Sequence, residues 1–275
     1  MKPVLILGTR GSDLALAQAR AVRDQLALAH PQLRVDVKII RTTGDKRLDV
    51  DLANPGPLGK GLFTKQLEEA LLKGSIDAAV HSLKDLPVGL PDGLVLGAIP
   101  PRADPSDAVV SKWPGGLDGL PRGAKVATSS VRRAALLRHF RPDLVTVAMR
   151  GNVPTRLRKL ADDPAIDAIV LAKAGLDRLG PVVPDGLHVA VEPRLLPAPG
   201  QGALGIECRA EDTNTLGWLA ALHCPDTARC VHAERALLAI GGGGCAAPLG
   251  ALAEIRDGAL HIRAISFEPG GPVHI

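Results

Sequence analysis

Aromatic side chains are nearly missing from this chain. Its 275 residues include no Tyr, three Phe and two Trp, an aromatic share of 2%. A base-stacking platform for nucleic acid needs a row of rings, so that class of partner is not expected. Aliphatic side chains and Ala must fill the core. Long apolar runs are missing too. The opening Met1-Lys2-Pro3-Val4-Leu5-Ile6-Leu7-Gly8 is too short for a signal segment, and no other stretch approaches membrane length without a charge. A cytoplasmic protein with no membrane partner is therefore expected. There are four Cys, and without an export signal they are expected as free thiols. His223-Cys224 and Cys230-Val231-His232 match no standard zinc spacing, and residues i and i+2 of a helix do not share a face, so no metal is expected. Charge of one sign is not in large excess. The balance of 33 basic against 29 acidic residues leaves +4, which fits an anionic small ligand and does not demand nucleic acid.

What is present is an α/β alternation long enough for two or three domains. The chain is organised around Ala78-Ala79-Val80-His81-Ser82-Leu83-Lys84-Asp85-Leu86-Pro87. Ala78 to Val80 is predicted to end a buried strand, because a short apolar run before a turn signal suits a strand covered on both faces. His81, Ser82, Lys84 and Asp85 then fall past the strand's C-terminal end, in a turn where open α/β sheets place ligands. A carboxylate beside an ammonium there serves either acid–base chemistry or a surface ion pair.

The N-terminal part repeats the same grammar. Val4 to Leu7 is predicted as a strand, and Ser12 as the cap of a helix over Leu14 to Leu28. Ser12 and Arg10 together make either an anion site or a plain cap beside a surface charge. After a strand over Arg34 to Ile40, the Gly-, Pro- and Lys-rich stretch from Arg41 to Leu62 is a functional loop, a lid or disorder. A helix over Phe63 to Lys73 follows, and then a strand over Leu94 to Ile99.

Pro100-Pro101-Arg102-Ala103-Asp104-Pro105 has the composition of a crossover, and the Pro-rich Val191 to Pro199 of a second. Between them the alternation restarts, with strands at Ala108 to Val110, Lys125 to Ala127, Leu144 to Met149 and Ala168 to Leu171. Thr128-Ser129-Ser130 is predicted to cap a helix with Arg132 and Arg133 in its first turn, the end that the helix dipole makes unfavourable for cations. Arg150 and Arg156 flank the next strand-to-helix turn. If the two strands are parallel neighbours, all four guanidinium groups line one rim, suited to a ligand with several carboxylates or phosphates. Gly200 to Cys208 is a Gly-punctuated strand, predicted to return to the first lobe. Helices over Thr213 to Ala221 and Ala228 to Ile240 lead to Gly241-Gly242-Gly243-Gly244-Cys245, a thiol on a glycine-rich loop and a candidate nucleophile or attachment point. Leu249 to Ile255 and Ala259 to Ile265 are predicted as a hairpin.

The segments Arg10-Gly11-Ser12, Lys60-Gly61-Leu62-Phe63, Val80 to Pro87, Thr128 to Arg133, Arg150 to Arg156, Leu171 to Leu179, Pro199 to Cys208 and Gly243-Gly244-Cys245 together resemble the porphobilinogen deaminases, in that family's order. The resemblance implies an α/β fold of two periplasmic-binding-protein-like lobes with mixed sheets plus a small α+β C-terminal domain. The implied divisions are 1–99 with 200–220, 104–195, and 222–275. It implies a monomeric enzyme of tetrapyrrole biosynthesis that condenses four porphobilinogen molecules head to tail, releases ammonia, and yields hydroxymethylbilane. A dipyrromethane cofactor is implied, bound as a thioether to Cys245. Asp85 matches the catalytic aspartate. Lys84, Thr128, Ser129, Ser130, Arg132, Arg133, Arg150 and Gln201 match cofactor-binding positions. Arg10, Ser12, Lys60, Phe63, Arg150, Arg156 and Arg178 match substrate-binding positions.

Two departures stand out. Ala246-Ala247-Pro248 follows Cys245 where relatives more often have a polar residue. The sequence stops at Ile275 where relatives generally continue into a helix, so a small third domain is expected. A non-catalytic two-lobed binder of a polycarboxylate would share the arginine rim. It would need neither Asp85 at the cleft nor a thiol on a glycine loop.

Overall fold

Short aliphatic runs between Gly, Pro and Asp turns become strands, and Ala-rich amphipathic stretches become the helices that cover them. The computed structural model describes residues 3–42, 64–240, 247–267 and 272–274. The first sheet begins β1 (Val4–Thr9), α1 (Asp13–Ala29), β2 (Arg34–Ile39), α2 (Lys65–Leu72), β3 (Ala78–Ser82), β4 (Leu94–Ala98). The chain then crosses to a second sheet. There it forms β5 (Asp107–Ser111), β6 (Lys125–Ala127), α3 (Val131–Phe140), β7 (Val145–Val147), α4 (Val153–Asp162), β8 (Ala168–Ala172), α5 (Lys173–Leu179) and β9 (His188–Val191). It returns as β10 (Leu204–Arg209) and ends with α6 (Thr213–Leu219), α7 (Pro225–Ile240), β11 (Leu249–Arg256), β12 (Ala259–Ser266) and β13 (Val273–His274).

The two large sheets have the same plan. Their orders are β2-β1-β3-β10-β4 and β7-β6-β8-β5-β9. In each, three parallel strands joined through helices meet an antiparallel strand, β10 or β5, which begins as the chain arrives from the other sheet. The fold is thus α/β with two mixed sheets plus a small C-terminal sheet, as the sequence predicts. The parallel partnership of β6 and β7, on which the arginine-rim argument depended, holds with Lys125 opposite Val145.

Aliphatic cores fill both sheets. Leu5, Leu7, Val22, Leu26, Val80 and Ile206 lie inside the first, and Val109, Val126, Leu136, Leu137 and Val170 inside the second. The third sheet, β11-β12-β13, contains a hairpin over Asp257 and Gly258, both at positive φ. Such a two-residue turn matches the twist of paired strands. Ile265 and Phe267 pack into the second sheet's core, while Ala228 and Val231 of α7 pack against Leu83 and Leu86 of the first.

Two local expectations need correction. His81 and Ser82 belong to β3 itself and not to the turn, because both pair with β10 (Ser82 opposite Leu204, His81 opposite Gly205). The segment before the second crossover holds a strand, β9, which pairs with β5 and which its short, half-exposed sequence conceals.

Candidate active site

Three parallel strands in each sheet end on the same side as the helices begin, so both sheets present strand C-termini and helix N-termini to the space between them. At the end of β3, a single 3₁₀ turn, Leu83–Asp85, replaces a helix. Pro87 has no N–H to continue one. Leu83 is fully buried, Lys84 is partly covered, and Asp85 is exposed. Among the described residues, no hydrogen bond or ion pair holds the Asp85 carboxylate.

Lys84 donates from Nζ to Gln201 Oε1 at 3.2 Å. Burial pushes its ammonium down to about 8, and repulsion from Arg133 and Arg132 adds to this, while Asp85 and Asp107 oppose. Desolvation disfavours the charged form, so a lysine in this position is poised to titrate near neutrality.

The facing rim comes from β6, β7 and their helices. Ser130 caps α3 by accepting from the Arg133 N–H at 3.4 Å. Thr128 accepts from the Ser130 N–H, and Ser129 both donates to the Met149 carbonyl and accepts its N–H. The Ser129 hydroxyl thus ties the two strand ends together, while those of Thr128 and Ser130 fix the turn into α3. Arg133 is buried and grips Asp107 with two bonds (Nε to Oδ2 at 3.0 Å, Nη2 to Oδ1 at 2.7 Å). Arg132 reaches the same carboxylate at 2.8 Å. This answers the puzzle of two cations at a helix start: the compensating anion is Asp107, the first residue of β5. Burial alone would raise the Asp107 carboxyl, but Arg132 and Arg133 overcome it and hold it well below the usual carboxylate range.

Arg156, in the first turn of α4, donates from Nε to the Gly151 carbonyl at 2.7 Å. Burial lowers its pKa, Arg133 and Arg150 lower it further, and Asp85 opposes. Asp85, past the end of β3, and Arg156, in α4, are near enough to interact electrostatically.

Gln201 ties the sides together. It is fully buried, and its Nε2 donates to Asp107 Oδ1 at 2.7 Å and to the Pro105 carbonyl at 2.8 Å, while its Oε1 accepts from Lys84. The two crossovers run side by side here. Gly202 is at φ +85°, where a Cβ would stand 2.5 Å from the Ala103 carbonyl oxygen, so only glycine fits. Arg178 donates to the Gly202 carbonyl at 2.7 Å, and its pKa is lowered by burial. With Leu14, Gln18, Ser82, Lys84 and Gln201 it lines a small pocket of about 30 Å³, room enough for water.

Lys84, Asp85, Arg132, Arg133, Arg150 and Arg156 are therefore brought together as a charged set around the neutral Gln201. Ser12 serves as the cap of α1 by accepting from the Ala15 N–H at 3.3 Å, with Arg10 half-buried before it. Lys60, Phe63 and Cys245 lie outside the described residues, as does most of the lid stretch. Among the described residues, no group of three or more His, Cys, Asp or Glu is placed to hold a metal ion. Reading the sequence missed Asp107, which looks like an ordinary acid opening an apolar run. The misplaced cations of α3 were the available signal that such an anion existed. It also missed Glu234 and Arg235 on α7, whose partners are far away in sequence.

Comparison with known proteins gives two family matches. "Porphobilinogen deaminase, dipyromethane cofactor binding domain" matches residues 5–217, and "Porphobilinogen deaminase, C-terminal domain" matches residues 228–273. A protein named porphobilinogen deaminase from Syntrophobacter fumaroxidans is 50% identical over 258 residues, covering 94% of this chain and 82% of the relative. One of the same name from Desulforudis audaxviator is 51% identical over 265 residues, covering 96% and 84%. Among solved structures, the methionine binding protein MetQ aligns over 88% of this chain and 97% of its own at 18% identity and a TM-score of 0.47, too distant to bear on the site.

Proposed function

The chain belongs to the porphobilinogen deaminase family, and from that premise we propose that its chemistry runs between the Lys84–Asp85 turn and the arginine rim. It is a deaminating transferase, a hydroxymethylbilane synthase that joins porphobilinogen units with release of ammonia and carries a dipyrromethane cofactor. The observation that supports our assignment of the site is Gln201, which bonds Lys84, next to Asp85, on one side and Asp107, with its Arg132 and Arg133, on the other.

The residues present fit a dipyrromethane. That group brings several acidic side chains and two pyrrole N–H groups. Among the described residues the cleft offers Lys84, Arg132, Arg133, Arg150 and Arg156 against Asp85 and Asp107, which suits anionic side chains. We assign the acidic side chains of cofactor and substrate to Lys84, Arg150 and Arg156, with Arg10, Ser12 and Arg178 at the substrate end. Arg132 and Arg133, already sharing Asp107, contribute through the remaining donors of their forks. When bound, the cofactor supplies the free pyrrole α-carbon at which each new unit joins.

Asp85 handles the protons. Protonated, it donates to the departing amine as the methylene carbon–nitrogen bond of porphobilinogen breaks. Ionised, its oxygens face the ring N–H where positive charge develops, and it then takes the α-proton released when the new carbon–carbon bond forms. One carboxylate is thereby returned to its starting state after each addition. We further assign functional units to 1–99 with 200–220, 104–195, and 222–275, cofactor attachment to Cys245, a covering role to Lys60 and Phe63, and a monomeric cytoplasmic setting. Among the described residues no helix is long and apolar enough to cross a membrane.

Intact-mass measurement tests the attachment. Active protein is expected to exceed its sequence mass by two pyrrole units, and Cys245→Ala to show the sequence mass with no ammonia release. An unmodified mass from an active preparation would overturn the attachment.

A further inference from the structure

A buried guanidinium lies behind the Lys84–Asp85 turn, and no step described above uses it. Arg235, on α7, donates from Nη1 to the carbonyls of Leu86 (2.9 Å) and Leu83 (3.4 Å) and from Nη2 to those of Pro87 (2.7 Å) and Val88 (3.2 Å). Its planar fork thus spans the backbone on both sides of Asp85. Other holds on this turn are few. Leu86 N–H reaches Leu83 O at 3.2 Å, Leu83 N–H reaches Ala203 O at 3.0 Å, and Pro87 has no N–H. Leu83 and Leu86 rest on Ala228 and Val231, which share the α7 face with Arg235. The Asp85 carboxylate, with no hydrogen bond or ion pair among the described residues, takes its direction chiefly from this backbone.

The neighbouring Glu234 fixes the helix that carries the fork. It binds Arg102 of the first crossover with two bonds (2.7 and 3.0 Å), the Gly200 N–H of the second at 2.7 Å, and the Ala253 N–H of β11 at 2.8 Å. Two consecutive residues of α7 therefore hold the crossovers, the third sheet and the turn. The same helix ends at Ile240, five residues before Cys245.

We propose that Arg235 is a positioning residue for the deaminase reaction, fixing the 83–88 backbone so that the Asp85 carboxylate meets the reacting pyrrole. The inference rests on the assignment of proton handling to Asp85. A misplacement of about 1 Å at a reacting group costs on the order of 100-fold in rate. Lysine at 235 keeps the charge but replaces a rigid fork with a single point donor.

The test uses holoenzyme whose loading is verified by mass. It compares wild type, Arg235→Lys, Arg235→Gln, Asp85→Asn and the double variant Asp85→Asn/Arg235→Lys by melting temperature, kcat and KM for porphobilinogen. Arg235→Lys is expected to lower kcat by about 10- to 100-fold with a smaller change in KM. The same change should move the residual turnover of Asp85→Asn by less than about twofold, since residues acting as one unit are not additive. Should Arg235→Gln fail to fold, Arg235→Lys decides. The proposal is overturned if Arg235→Lys keeps its kcat while melting earlier, if it raises KM alone, or if it costs the same factor in the Asp85→Asn background. Near-normal turnover of Asp85→Asn would instead overturn the proton-handling assignment, and this inference with it.

Discussion

Lys84 and Asp85 are adjacent in sequence and opposite in setting: one is pressed into a cationic pocket, the other faces the cleft. The rule that ligands gather at strand C-termini made both visible in the sequence. It left open catalysis or a surface ion pair; that Lys84 turns to Gln201 and its pKa falls supports the proposed role over the ion pair. A pH prediction follows with a definite sign. The Lys84 ammonium is intact below about 8 and lost above it, so affinity for a carboxylate-bearing substrate falls as pH rises through that value. In kcat/KM against pH, which reports the free enzyme, wild type is expected to lose activity on this limb. Lys84→Arg, charged throughout, should keep it wherever the larger group is tolerated. An unchanged alkaline limb in an active Lys84→Arg would remove Lys84 from carboxylate binding. Asp107 was not legible at this scale, because nothing in Ser106-Asp107-Ala108 announces that its partners lie 25 and 26 positions away.

Among the elements, α3 and α7 carry the most information per residue. The start of α3 was readable as an anomaly, with arginines where the dipole disfavours them. The resolution of the anomaly required β5 to lie beside β8, a pairing between distant segments that no local pattern encodes. Asp107→Asn should leave two buried guanidinium groups undercompensated and cost about 3–5 kcal/mol of stability, measured by denaturant unfolding. The folded-state pKa of Asp107 is depressed, so its stabilising contribution is present above the ordinary carboxylate range and is lost only as pH falls through that depressed value. The variant's deficit relative to wild type should therefore be full at pH 7 and shrink in acid. A loss below about 1 kcal/mol, the scale of an exposed pair, would contradict the buried-triad account. Helix α7 was legible as a helix but not as a clamp. Glu234 and Arg235 look like a solvated charge pair until their partners at Arg102, Gly200, Ala253 and the 83–88 backbone are seen.

At the scale of the molecule, the two Pro-rich crossovers mark where the chain leaves the first sheet and where it returns to it. The matching strand orders add what composition does not hold: each sheet takes its antiparallel strand from the chain returning from the other. That exchange sets β3 and β6 facing each other and places Gln201 and Asp107 at the joint between them, in contact at 2.7 Å. In the proposed function, proton handling and charge binding come from opposite sides of one cleft, and α7 and β11 bond to the 83–88 turn and to both crossovers. The central claim is that Asp85 performs the proton transfers in this cleft. Its most direct measurement is ammonia release by mass-verified holo Asp85→Asn at saturating porphobilinogen. The account predicts a loss of at least about 100-fold, the scale of general acid–base catalysis, with the protein folded and substrate still bound. Release within a few-fold of wild type would contradict it.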